Sequence, residues 1–188
     1  LYYIAFPSTV GMIVLAHPLI LLFGGDKFIP AVLVMQILAP LLLVIVLSQF
    51  LSNQILIPLH LEKYNNYCVL GGALVNFVLN FILIPIYAEV GVAVSVLISE
   101  TIVTLLFFIF TSKHMKLTVM DFLPIKCMLS SAIMGLVIYC LFDETSHILC
   151  IFGYILLGAT IYSLSLFVMK DKFFSYMLTI IKKKRNGK

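Results

Sequence analysis

The sequence predicts an all-α integral membrane protein, and three observations predict it. Six apolar stretches cross the chain, each about as long as, or longer than, the ~20 residues that a membrane-crossing helix needs. Apolar residues make up 63% of the 188 and charged residues 11%, against roughly 25% charge in an ordinary soluble domain. That polar surface is too small to cover a water-soluble globule. Finally, eleven of the twelve Lys and Arg residues fall on one side of the alternating connections: Lys63, Lys113, Lys116, Lys126, Lys170, Lys172, Lys182, Lys183, Lys184, Arg185 and Lys188. Lys27, beside Asp26, lies on the other. Positive charge retained in short loops marks the cytoplasmic face, so the pattern places both ends of the chain in the cytoplasm.

The first span reads as Tyr2 to Leu22 and the second as Pro30 to Ile57, long enough to tilt. The third is Tyr67 to Ile86, the fourth Gly91 to Thr111, the fifth Pro124 to Phe142 and the sixth Ile148 to Met169. Pro30 and Pro124 suit the first turn of a helix, where a missing N–H costs little. Pro58 ends the second span, because proline disfavours the helical conformation of the residue before it. Pro7, Pro18 and Pro85 fall inside or near the ends of spans, and Pro40, well inside the second, is expected to kink it. Tyr2, Tyr3, Tyr64, Tyr67, Tyr87, Tyr139 and Tyr154 sit near span ends, as an interfacial aromatic belt does.

The tail, 170–188, is different. Phe173, Phe174, Met177, Leu178 and Ile181 share one helical face and cations bracket them, the pattern of a basic amphipathic helix lying on anionic lipid. The net charge of +4 comes mostly from this tail and its side of the membrane, so it does not point to nucleic acid. The longest connection, Ser112 to Leu123, is too short to build an extramembrane domain. The chain opens on Leu1 and is apolar at once, with no soluble domain after a cleavage site. A signal peptide does not fit, and the chain reads as the C-terminal part of a longer, transporter-sized protein.

Polar groups in the spans are few, so each is a candidate. Glu100 lies near the middle of the fourth span, where a charged residue costs on the order of 2.5–3.5 kcal/mol. It either hydrogen-bonds a neighbouring helix or serves in proton coupling or a gate. Gly72, Asn76 and Asn80 in the third span are spaced by four, as are Gly91, Ser95 and Ser99 in the fourth. Each set lies on one helix face, and small residues four apart let backbones approach closely in lipid while Asn and Ser bond across the contact. These stripes read as the packing seam of the third and fourth helices. In the second span Gln36 stands apart, and Ser48, Gln49, Ser52, Asn53 and Gln54 form a polar patch toward the cytoplasmic end. That patch either lines a hydrated cavity for a sugar or head group, with Gln49, Ser52, Asn53 and Glu100 as its candidates, or glues helices together.

No catalytic constellation is present. The sequence has no phosphate-binding glycine loop, no H-E-x-x-H and no G-x-S-x-G. His17, His60, His114 and His147 are scattered without ligand partners, and Asp26, Asp121, Asp143 and Asp171 lie in connections or the tail. Neither a metal site nor a cofactor is expected. Cys68, Cys127, Cys140 and Cys150 form no C-x-x-C pair and read as small buried hydrophobes, although Cys140 and Cys150 flank one connection and could approach each other.

Several blocks together resemble the C-terminal part of polysaccharide flippases, the oligosaccharide-repeat-unit exporters of the multidrug/oligosaccharidyl-lipid/polysaccharide superfamily. They are Phe6-Pro7-Ser8-Thr9-Val10-Gly11, Pro18-Leu19-Ile20-Leu21-Leu22-Phe23-Gly24, Asn76-Phe77-Val78-Leu79-Asn80, Ile84-Pro85-Ile86-Tyr87, and Gly91-Val92-Ala93 leading to Ile98-Ser99-Glu100. The resemblance covers about the first 110 residues; the last two helices and the tail match only in placement. It implies an all-helical two-lobe transporter of the bacterial plasma membrane. Residues 1–111 would be four helices of the second lobe, 112–169 two additional helices, and 170–188 the cytoplasmic tail. The implied cargo is an undecaprenyl-pyrophosphate-linked oligosaccharide moved from the cytoplasmic to the outer leaflet. Its implied partner is the N-terminal lobe of the same protein. One departure matters: such flippases are expected to hold cations for the pyrophosphate in the central cavity, and no Lys or Arg lies in the middle of any span here. A cation-coupled drug or metabolite antiporter of the same superfamily is the alternative within transport. A membrane subunit or enzyme of polysaccharide assembly is the alternative outside it.

Overall fold

The computed structural model describes residues 2–114, 125–141 and 148–169. The tail, 170–188, most of the 112–123 connection, Pro124, Phe142 and the side chain of Cys150 lie outside the described residues, and with them the amphipathic-helix reading. The described residues are helical with short turns and contain no strand. The helices are α1 (Tyr2–Val14), α2 (Ala16–Gly24), α3 (Ala31–Leu38), α4 (Leu41–Leu51), α5 (Glu62–His114), α6 (Ile125–Leu141) and α7 (Ile148–Val168). Among the described residues three units are long and apolar enough to cross a membrane, Ala31–Leu56, Glu62–Lys113 and Ile151–Val168, or four if the bent pair Tyr2–Val14 and Ala16–Gly24 is one span. Their exposed faces carry Leu74, Phe77, Phe81, Leu156 and Leu164. In a helical chain, large apolar side chains in such numbers belong against lipid. The molecule is an all-α protein built to be embedded in a membrane.

The first apolar stretch is not one straight helix. α1 and α2 meet at a 74° bend, and Pro18 explains where. It has no N–H for the carbonyl of Val14, four residues back, and its ring collides with that carbonyl. α1 therefore stops at Val14. The Gln36 side chain of α3 donates to the neighbouring Ile13 carbonyl at 3.3 Å, which satisfies a backbone group beside the break.

Pro40 interrupts the next stretch in a milder way. α3 ends at Leu38 and α4 starts at Leu41. Across the gap the ladder tightens to three-residue bonds, Leu42 N–H to Ala39 and Leu43 N–H to Pro40 at 3.2 and 3.0 Å. The two halves still form one apolar unit. At its far end α4 widens into a π turn, Ser52–Leu56.

α5 is formally continuous over 53 residues, yet Ala88 is non-helical, with φ 48° and ψ −124°. It folds back on itself there. A Cβ at Gly72 would meet Val103, one at Gly91 would meet the backbone of Leu83, and Asn76 bonds Ser99. The partners step in opposite directions along the chain, which defines an antiparallel hairpin with arms 62–87 and 89–114. Each arm is about 39 Å long at 1.5 Å per residue, enough for a ~30 Å hydrocarbon core. The third and fourth stretches of the sequence are these arms, joined by a one-residue reversal rather than a loop.

Two cores hold the fold. One joins α4, the π turn and α5 through Leu51, Leu56, Cys68, Val103 and Phe107. The other joins α1, α2, α6 and α7 through Leu15, Cys127, Met134, Ile138, Tyr162 and Leu166. α6 has 17 residues, at the short limit for a span. Gly135 lets α1 approach it, since a Cβ there would lie 2.4 Å from Val10. Ser165 donates to Ser130 at 3.1 Å and Lys126 to the Met169 carbonyl at 3.1 Å, which ties α6 to the C-terminal end of α7. Tyr154 does the same at the other end, donating to Leu141 at 3.0 Å. Cys68, Cys127 and Cys140 are free thiols, the first two buried and Cys140 exposed.

Candidate functional site

Between α4 and the two arms of α5 lies a cavity of about 570 Å³. Each wall is one helix face. α4 and its π turn supply Ser48, Gln49 and Ser52. The first arm supplies Asn65, Val69, Gly72, Ala73 and Asn76, and the second Val96, Ser99, Glu100, Val103 and Phe107. Spacings of three and four put each set on a single side of its helix. The polar groups are therefore turned inward by the same periodicity that turns Phe77 and Phe81 outward.

The seam between the arms is built from the two small-residue stripes. Asn76 Nδ2 donates to Ser99 Oγ at 3.0 Å, and Asn80 Nδ2 donates to Asn76 Oδ1 at 2.8 Å. Ser99 Oγ in turn donates to the Val96 carbonyl at 3.0 Å. In apolar surroundings such a chain of bonds fixes register, because an unmade bond there leaves a costly orphan. Gly72 permits the approach: a Cβ would sit 2.0 Å from a methyl of Val103. Gly91 permits a closer one at the reversal, with a Cβ 2.5 Å from the Leu83 carbonyl oxygen. Ser95 is buried beside it and returns its hydroxyl to the Gly91 carbonyl at 2.7 Å.

Of the four residues singled out as cavity candidates, the structure brings three together. Gln49, Ser52 and Glu100 line the cavity, and Asn53 does not. Asn53 is exposed, and its amide donates to Gln49 Oε1 at 2.6 Å. Gly72, Asn76 and Ser99, read from sequence as packing residues, both pack and line the cavity, whereas Asn80, Gly91 and Ser95 belong to the seam alone. Asn65 was missed. It accepts a bond from Ser52 Oγ at 2.7 Å, which bridges α4 and α5 near their connection. Its signal was its distance of eleven from Asn76, three helical turns along one face.

Glu100 is half-buried and carries the single formal charge among the described residues that line the cavity. No hydrogen bond or ion pair engages its carboxylate among the described residues, and Thr104 uses only its backbone carbonyl, at 2.8 Å. The described residues of the site offer hydroxyl and amide groups that donate and accept, one carboxylate, and no cation. It is suited to polyhydroxylated or cationic groups and poorly suited to phosphate.

A second cavity, of about 560 Å³, lies between α1, α6 and α7. Tyr3, Ile4, Leu15 and Leu19 form one side of it, and Met134, Ile138, Ile155 and Tyr162 the other. Gly11, Gly158 and Ala159 also line it, and Ser8 and Ser163 are its small polar groups. None of the described residues that line it is charged. Among the described residues no group of His, Cys, Asp and Glu is arranged to hold a metal ion. Comparisons with family models, curated proteins and solved structures found no match for this chain.

Proposed function

We propose that this chain is the second-lobe part of a membrane flippase for undecaprenyl-pyrophosphate-linked oligosaccharide repeat units, moving them from the cytoplasmic to the outer leaflet for surface polysaccharide synthesis. The observation that carries the reading is a chamber rich in polar groups, with no cation among the described residues that line it, set among helices whose outer faces are apolar. A sugar presents many hydroxyls, and Gln49, Ser52, Asn65, Asn76 and Ser99 present matching donors and acceptors. The volume lies within the ~300–1,000 Å³ usual for small-ligand sites. The pyrophosphate would be held outside this chamber, by cations of the first lobe. In this reading all six apolar stretches span the bacterial plasma membrane, both ends are cytoplasmic, and the basic tail rests on anionic lipid. The protein is a transporter rather than an enzyme. The resemblance of residues 1–110 to polysaccharide flippases supports the same assignment.

The test is genetic and direct. Deletion of the intact gene should abolish the surface glycan, and the wild-type gene should restore it. Ala73→Leu, which places bulk in the chamber, should restore at least about tenfold less while the protein still reaches the membrane. Glycan export that survives deletion would instead favour a supporting subunit of the assembly machinery.

Glu100 favours a second reading. A lone carboxylate in an uncharged polar chamber attracts a cation, as a cation-coupled drug or metabolite antiporter requires. Under that reading Glu100→Gln abolishes transport of a small cationic substrate. Under the flippase reading it leaves glycan export within a few fold of wild type.

A further inference from the structure

α4 ends with one residue more than an α-helical turn holds. The Ile57 N–H bonds the Ser52 carbonyl, five residues back, at 3.0 Å, and Leu61 N–H bonds Leu56 with the same wide spacing at 2.9 Å. Just upstream, the Ser52 N–H is shared between the carbonyls of Ser48 and Gln49. Just downstream, His60 takes a φ of 57°, a conformation uncommon outside glycine. Three-, four- and five-residue bonds thus meet within one short stretch, and they meet where α4 lines the chamber.

A single π turn is an inserted residue, and such insertions favour functional positions. The insertion can migrate, because each step exchanges one backbone bond for another. A residue it passes rotates by about 100° and shifts by about 1.5 Å, so its slot goes to its successor. Migration by one turn toward α4 would hand the slot of Ser52 to Asn53. The chemistry survives the exchange. Ser52 Oγ donates to Asn65 Oδ1 at 2.7 Å, and Asn53, exposed with its amide bonded only to Gln49, has an Nδ2 donor for the same acceptor. The size does not survive it, since an amide occupies more of that end of the chamber than a hydroxyl.

We infer that the π turn Ser52–Leu56 is a register switch at the chamber end nearest the α4–α5 connection, with Ser52 against Asn65 in a wide state and Asn53 against Asn65 in a narrow one. Its role as a gate rests on the chamber being the cargo path. The switch itself does not, and its test does not read transport.

The test is disulfide trapping in the intact chain in membranes, with Cys68, Cys127, Cys140 and Cys150 replaced by alanine. Three pairs are compared under mild oxidation: Ser52→Cys with Asn65→Cys, Asn53→Cys with Asn65→Cys, and Gln54→Cys with Asn65→Cys. The switch predicts cross-linking of the first two within about fivefold of each other, and at least about tenfold less for the third. Cross-linking confined to the first pair, or equal for all three, overturns it. Amide hydrogen exchange on the unsubstituted protein gives a reading free of any folding defect. Residues 52–61 should exchange at least about tenfold faster than 41–51, and equal protection overturns the proposal.

Discussion

The two cavities are nearly equal in volume, about 570 and 560 Å³, and opposite in chemistry. The α4–α5 chamber carries amides, hydroxyls and one carboxylate among Val, Ala and Phe side chains. The α1–α6–α7 groove is walled by Leu, Ile, Met and Tyr. Close helix approaches at glycines flank both, at Gly72 and Gly91 between the arms of α5 and at Gly135 and Gly158 among α1, α6 and α7. Similar close packing therefore borders two environments, and the lining side chains set their difference in polarity. In a bilayer that difference is large. A polar wall facing lipid would leave hydrogen-bonding groups unpaired, whereas a polar wall facing a water-filled chamber costs little.

The contrast can be broken from several directions. The largest effect is expected from Gly91→Ala. The added Cβ meets backbone at Leu83, which no rotamer change relieves, so the α5 hairpin should lose about 3 kcal/mol, read as a collapse of thermal stability in detergent. Gly158→Ala meets the flexible end of Ile138, at 2.8 Å, with the Met134 side chain at ordinary contact distance, and should cost less than half as much by the same measurement. Next comes Asn76→Leu, which removes the bonds to Ser99 and Asn80 and should cost about 1–2 kcal/mol. Ala88→Gly works in the other direction. It relieves a positive φ carried by a residue with a Cβ and should gain about 1 kcal/mol. The smallest effect is Ser163→Ala in the groove, where the hydroxyl only returns to its own helix at Ala159. Its stability should stay within about 0.5 kcal/mol of wild type.

The polar chamber was more legible in the sequence than the groove, and the reason is scarcity. In spans made almost wholly of apolar residues, Asn76, Ser99 and Glu100 stand out, and helical spacing places each on a face. Gly11, Met134 and Ile155 look like any other membrane residues, so nothing marked the groove. The backbone was legible only in part. Pro40 announced an interruption of α3–α4, and the structure interrupts the helix there. Pro18 carried the information for the 74° bend as well, through the Val14 carbonyl four residues back, but its place near the end of the apolar stretch disguised a break as a terminus. The π turn had no signal, because an inserted residue leaves composition and apolar run length unchanged. Ser52 continues the α4 face of Ser48 and Gln49 into the chamber, and Asn53, about 100° further round, does not line it. The reversal at Ala88 lacked the glycine that such a conformation usually takes. The nearby glycine, Gly91, serves the close approach instead.

The sharpest test is whether water fills the chamber and not the groove. Single cysteines at Gln49 and Glu100 in the chamber, and at Ser8 and Ser163 in the groove, can be labelled in intact membranes with a charged, water-soluble thiol reagent. The thiolate is the reacting species and forms only where water reaches it. Cysteines at positions 49 and 100 should react at least about tenfold faster than those at 8 and 163. Equal rates at the four positions, or faster labelling in the groove, would contradict the separation of a hydrated polar chamber from an apolar groove.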